Sequence, residues 1–275
     1  INSFGGNRRF ISGNRCERPL GRGKKKEIPN LYKWKYDYIR SLQGGENRRG
    51  RIGIPLGLNL YENLPFWHAF FTTLGYEVVL SPESNRDLYA CGQHTIPSDT
   101  VCYPAKLMHG HVEKLLEMGV DAIFYPCLPY NFDEERGDNH YNCPVVAYYP
   151  ELLAANVAQL EQVRYMAPYF GIHRPNDFAK KAAAYFGETL HLPAGEVKKA
   201  ARAAYKAYNA YMQAIRDKGE EIVAWARANG KRIIVLSGRP YHIDPEINHG
   251  IDGLLTSFDL AVVTEDAVAH LGERK

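Results

Sequence analysis

Short apolar runs rich in β-branched residues alternate along this chain with stretches of helical spacing, and glycine or proline stands at most of the junctions. That alternation is the signature of βαβ units on a parallel sheet, because parallel neighbours need a crossover long enough to hold a helix. Residues 51–55 read as a buried strand stopped by Pro55, 76–80 as a second, 121–125 as a third and 144–147 as a fourth. Between them, 63–74 has apolar residues at helical intervals with Gly75 as its C-terminal cap. A further helix is expected from about 104 to 118, introduced by Ser98, Asp99 and Thr100 and ended by Gly119. From 150 to about 229 the chain is rich in Ala, Glu, Lys and Tyr and reads as three or four helices, the longest over 195–228. Strand 231–236, a turn at 237–240, helix 247–258 and strand 260–263 follow. The expected architecture is a Rossmann-like open parallel α/β lobe, a helical insertion and a second α/β unit. That unit is either a truncated lobe or the completion of the first sheet. The corresponding segments are 1–49 (a basic entry with a short amphipathic helix at 31–42), 50–150, 151–230 and 231–275.

Composition narrows the class. The chain has 275 residues, 45% of them hydrophobic and 12% aromatic, with a formal net charge of +3, which excludes a disordered polymer. No apolar run approaches the ~20 residues of a membrane span, and nothing resembles a secretory leader, so a soluble cytoplasmic protein is expected. Five cysteines with no CxxC exclude a zinc ribbon and argue against a disulfide framework. Basic clusters at Arg8, Arg9, Arg15, Arg18, Arg22 and Lys24, Lys25 and Lys26, then Arg48, Arg49 and Arg51, come without aromatic or zinc-finger motifs. A solvated basic arm is therefore expected, and no nucleic acid partner.

Unusual residues gather where an open sheet places its ligands, beyond the carboxyl ends of the strands. Cys102, Cys127 and Cys143 each lie within two residues of a proline in such loops. Cysteine thiolates bind iron–sulfur clusters, often beside proline, although the usual spacings are more compact. The plain alternative is that free cysteines fill the core as small apolar residues. His109 and His111 are two apart and face different directions on a helix, so they do not jointly hold one metal ion. His242 and His249 flank Asp244, Glu246 and Asn248 after a Gly238–Arg239 turn, as in an active-site loop or an ordinary capped helix. GxGxxG, the P-loop and GxSxG are all absent.

Four runs taken together carry a resemblance: SGNRCER at 12–18, PSDTVCYPAKLMHGH at 97–111, FYPC at 124–127 and GRPYHIDPEINH at 238–249. The chain resembles the dehydratase-like region of 2-hydroxyacyl-CoA dehydratase activators, also called CoA-substrate-specific enzyme activases. The resemblance implies an iron–sulfur cluster of the [4Fe–4S] type held by Cys102, Cys127, Cys143 and Cys16. It also implies low-potential electron transfer, driven by an ATPase module, toward radical dehydration of an acyl-CoA by a dehydratase component. Lys106, His109, His111, Arg239 and His242 would surround the ligands or touch substrate, and Cys91 would be structural. Two departures stand out. Ala267 and Val268 occupy the place where such modules carry a further cysteine, and no ATPase module is present in this sequence. Activity of this chain alone is therefore not expected. A docking domain without catalysis, or a small-molecule-binding enzyme using the 238–249 loop, are the competing expectations.

Overall fold

A computed structural model describes residues 2–3, 9–10, 27–133 and 138–272. Cys16, the 12–18 run and most of the basic entry lie outside these residues. The entry contributes a two-residue antiparallel pair, β1 (Asn2–Ser3) with β2 (Arg9–Phe10). Helix α1 (Leu31–Ser41) starts where the Asn30 side chain accepts the Lys33 amide and packs its Leu31, Tyr32, Lys35, Tyr36 and Ile39 face inward.

Four parallel strands form the main sheet: β3 (Arg51–Ile54), β4 (Glu77–Leu80), β5 (Ala122–Phe124) and β6 (Arg164–Met166). Their order is β4-β3-β5-β6, with Ile52 opposite both Val78 and Ala122, and Ala122 opposite Arg164. The order reverses between β3 and β5, and an open sheet forms its ligand crevice outside the carboxyl ends at such a reversal. Helix α2 (Leu60–Thr73) is apolar on nearly every side and accordingly buried on nearly every side. Its Phe66, Trp67, Phe70 and Phe71 interlock with Phe124, Phe178 and Phe186, for example Trp67–Phe124 at 4.6 Å and Phe66–Phe178 at 5.1 Å between centroids. Both Phe178 and Phe186 come from α6 (Pro175–Leu190), so the core lies between the sheet and the helical segment. Helix α7 (Ala194–Ala228) runs unbroken for 35 residues behind α2.

The second unit does not join the first sheet. Strands β7 (Arg232–Val235) and β8 (Leu260–Val263) form a separate parallel pair, and the Val262 amide bonds to the Pro29 carbonyl just before α1.

Three expectations are corrected. Residues 144–147 are the first turn of α5 (Pro144–Asn156), not a strand, because Pro144 supplies a preset φ and lacks only an amide that a helix start leaves unused. The fourth strand is β6 instead, an edge strand whose Arg164 is exposed and whose pattern carries little apolar signal. Helix α3 (Arg86–Gly92) occupies what reads as loop after β4, and it precedes α4 (Tyr103–Glu117). The expected helix over 247–258 is split into α8 (Pro245–Asn248) and α9 (Ile251–Ser257) by left-handed backbone at His249 and Gly250. A four-residue helix α10 (Glu265–Val268) follows β8.

Candidate functional site

Helices that follow parallel strands begin at the carboxyl end of the sheet, and that places two cysteines together in kind. Cys102 is the N-cap of α4 and Cys143 the N-cap of α5, with nearly the same extended backbone (φ −64°, ψ 149° and φ −62°, ψ 153°). A proline follows each within two residues. Both thiols are exposed, and the Cys143 sulfur accepts the Val146 amide at 3.4 Å. The two helices are tied to each other by the His109 ring of α4 and the Tyr149 hydroxyl of α5, 3.0 Å apart. Burial, and after it the neighbouring Cys102 and Cys143, raises the Tyr241 hydroxyl above its ordinary value, and burial, then Cys102, raises that of Tyr149.

Cys127 differs. It follows β5, is fully buried, and pairs its backbone with Pro168 and Phe170 across an isolated bridge to Tyr169. Burial, then the Glu151 carboxylate, pushes its thiol up to about 11, so the neutral form dominates at neutral pH. Cys91 lies half-buried on α3 with its thiol toward Glu117, and its pKa is raised chiefly by burial. Among the described residues, no three histidine, cysteine, aspartate or glutamate side chains are gathered as a metal site. Cys102 and Cys143 are thus open to a ligand, whereas Cys127 in its present packing is not.

The reversal point is closed by an amide cluster. Asn59, before α2, donates to Asn142 at 3.0 Å, and Asn142 donates to the Leu128 carbonyl at 2.8 Å. This joins the loop after β3 to the loop that delivers Cys143.

The His109-Gly110-His111 run of α4 serves packing in both directions. Gly110 lets α3 approach so closely that a Cβ there would lie 1.9 Å from the Leu88 carbonyl oxygen. Thr95 uses its hydroxyl proton on the Gly92 carbonyl, so the His109 Nδ1–H donates to Thr95 at 2.7 Å and Nε2 accepts from Tyr149. His111 has the opposite tautomer. The Ser84 hydroxyl donates to Asp244, leaving its oxygen to accept from Nε2–H at 3.1 Å, while Ser81 donates to Nδ1 at 2.8 Å and accepts the Leu56 amide. The Tyr61 hydroxyl completes the chain on Asp244 at 2.6 Å. Burial pushes His109 down to about 4 and His111 to about 3, so both rings are neutral. Every ring nitrogen of the pair is therefore engaged inside the protein. Sequence reasoning missed Ser81, Ser84 and Tyr61, since isolated hydroxyls carry no motif; only Asp244 lay in a noted run.

Lys106 extends from α4 to the Asp99 carbonyl at 2.8 Å and lines a shallow hollow with Arg86, Tyr103 and Glu246. Arg239 is exposed, and its amide donates to the His242 Nδ1 at 2.9 Å. A Cβ on Gly238 would sit 2.3 Å from that nitrogen, so any larger residue there would have to displace the His242 ring. The structure thus brings the His242 ring to the Arg239 backbone. Ala267 is fully buried against Gly219, where a Cβ on Gly219 would meet that of Ala267 at 2.6 Å, so this corner is filled by backbone packing.

No helix among the described residues is long and apolar enough to cross a membrane. No curated protein and no solved structure matches the chain. The profile of the CoA enzyme activase uncharacterised domain matches residues 51–268, which takes in both parallel sheets and both cysteine-capped helices, and the chain belongs to that family.

Proposed function

We propose that this chain is the cysteine-bearing α/β part of an activase-type redox protein, in which Cys102 and Cys143 supply thiolates to an iron–sulfur cluster of the [4Fe–4S] type. One observation carries the reading: two exposed cysteines cap two cross-tied helices at the carboxyl end of a parallel sheet. Such helix starts favour negatively charged ligands through unpaired amides and the helix dipole. Cys16, outside the described residues, and Cys127, after a local rearrangement, are the candidates for the remaining positions. A cluster there would pass single electrons at a potential set by its surroundings. His109 and His111 act by holding α4, and hence Cys102, in place. Lys106, Arg239 and His242 border the approach for an acyl-CoA. An ATPase module and a dehydratase component are the partners this reading requires.

Anaerobic reconstitution with iron and sulfide, followed by metal and sulfide analysis, tests it. The expected result is a brown protein that loses its iron in Cys102→Ser and in Cys143→Ser but keeps it in Cys91→Ser. Colourless, iron-free protein would overturn the reading.

A second reading has its own support. Val235, Ile251, Leu254, Phe258 and Leu271 are large apolar residues exposed on the second unit, and such surface favours docking to another polypeptide. Retained binding of the ATPase module by a variant lacking Cys102, Cys127 and Cys143 would favour a docking role without redox chemistry.

A further inference from the structure

The hollow beside Lys106 has a volume of about 630 Å³ and is lined by Arg86, Tyr89, Tyr103, Lys106, Glu246 and His249. A space of that size is within the range of small-molecule sites. Three elements supply its wall: α3 gives Arg86 and Tyr89, the first turn of α4 gives Tyr103 and Lys106, and α8 with its C-cap gives Glu246 and His249. None of the six is buried, and Arg86 and His249 are exposed, so a ligand in the hollow can reach them all. Tyr103 directly follows Cys102, but no cysteine lines the hollow.

The charges on this wall are unequal. Lys106 donates to a neutral acceptor, the Asp99 carbonyl at 2.8 Å, so that bond does not cancel its charge. Arg86 makes no ion pair with a described carboxylate. Glu246 is the one carboxylate among the lining residues, and it already accepts the Tyr103 hydroxyl at 2.8 Å. Burial, then Glu246, raises that hydroxyl to about 12, with Arg86 acting in the opposite sense, so Tyr103 remains a donor to Glu246 at neutral pH. The Tyr89 and Tyr103 rings meet at 5.5 Å between centroids and form an aromatic patch beside the two cations. Guanidinium and ammonium groups bind phosphate oxygens, and a tyrosine face stacks a heterocyclic base whatever its edge.

We propose that this hollow binds a nucleotide, with its phosphate on Arg86 and Lys106 and its base against the Tyr89 ring. A free nucleoside diphosphate and the nucleotide end of an acyl-CoA share that chemistry. The proposal extends the reading of Lys106 as bordering the approach of an acyl-CoA, but it needs neither a cluster nor the cysteines.

Calorimetry on the full chain tests it, with ADP and coenzyme A as the two sources and adenosine as the match without phosphate. At least one of the two nucleotides should bind, the tighter of them naming the source, and adenosine should bind at least about tenfold more weakly than that one. Arg86→Gln, at an exposed position, should weaken binding by about tenfold or more. Tyr89→Leu should weaken it by about fivefold or more, and Tyr89→Phe should keep it. Glu246→Gln should leave binding as tight or tighter, because a like charge is removed. The variant lacking Cys102 and Cys143 should bind normally, which separates this proposal from the cluster reading. No binding of either nucleotide, adenosine binding as tightly, or an unchanged affinity in Arg86→Gln would each overturn it.

Discussion

His111 sits where a single proton would be costly. Its Nδ1 already accepts from Ser81 and its Nε2–H already donates to Ser84, in a site with no solvent contact to speak of. Its folded pKa, about 3, and that of His109, about 4, lie below the ordinary 6.5, with burial the main cause in each. The unfolded chain therefore takes up protons near pH 6.5 that the folded chain refuses, so these residues stabilise the fold fully above that pH and progressively less below it. Urea midpoints should fall between about pH 6.5 and pH 5, with the slope reduced by close to one proton in His111→Gln. A curve equally steep in the variant would remove His111 from the account. The spacing of the His-Gly-His run already argued against joint ligation of one metal ion, and its ring nitrogens are spent on Thr95, Tyr149, Ser81 and Ser84.

Elements meet here through small residues and caps. Helices α3 and α4 touch backbone to backbone, since a Cβ on Gly92 would lie 2.2 Å from the Gly110 amide nitrogen and one on Gly110 would strike Leu88. Gly110→Ala should cost about 3 kcal/mol or more by overpacking, and hydrogen exchange should localise the loosening to α3. Protection of α3 equal to the wild type would contradict the contact. The two cysteine caps make a sharper comparison. Cys143 receives the Val146 amide, whereas Cys102 makes no side-chain cap bond. Cys143→Ala should lower stability by about 0.5–1 kcal/mol and Cys102→Ala by less in denaturant melts. The reverse order would mean that Cys102 has a structural partner after all.

On the scale of the molecule, the second unit shares the buried core through Ile243, Ala261, Val262, Val263 and Ala267 and is fastened to the first by polar joints as well. Asp244 receives Tyr61 from α2 and Ser84 from the loop after β4, Asn30 donates to Asp252 at 2.7 Å, and Lys35 pairs with Asp266. The Lys35 and Asp266 side chains retain only 10% and 22% of their exposure. Removing one partner strands the other, so Lys35→Met should cost on the order of 2 kcal/mol, below the 3–5 of a fully buried pair because some solvent reaches Asp266. The double variant Lys35→Met, Asp266→Leu should recover most of that loss in equilibrium unfolding, and failure to recover it would show that the pair is not coupled. Because these joints link α1, α2 and the β4 loop to one small sheet, breaking them should loosen the second unit before the aromatic core.

The alternation of apolar runs and helical spacing was enough to define an open parallel α/β class, and β3, β4, β5, β7, β8 and α7 follow from it to within a residue or two. Local chemistry explains this, since β-branched runs flanked by glycine and proline have few other backbone solutions. The activase resemblance was legible too, in motif runs that survive without knowledge of where they lie. What periodicity left unreadable was decided by neighbours far along the chain. Strand β6 exists because β5 offers it an edge, α3 because two glycines permit contact, and α5 because Pro144 follows a cap rather than a strand. The same holds for the cysteines, whose different exposure is invisible in a row of letters. Cys102 and Cys143 face solvent because helices start at them, while Cys127 is sealed beneath Tyr169 and Glu151 because its loop turns back beside β6. Burial is a property of packing, and packing is settled only when the whole chain has closed around each side chain.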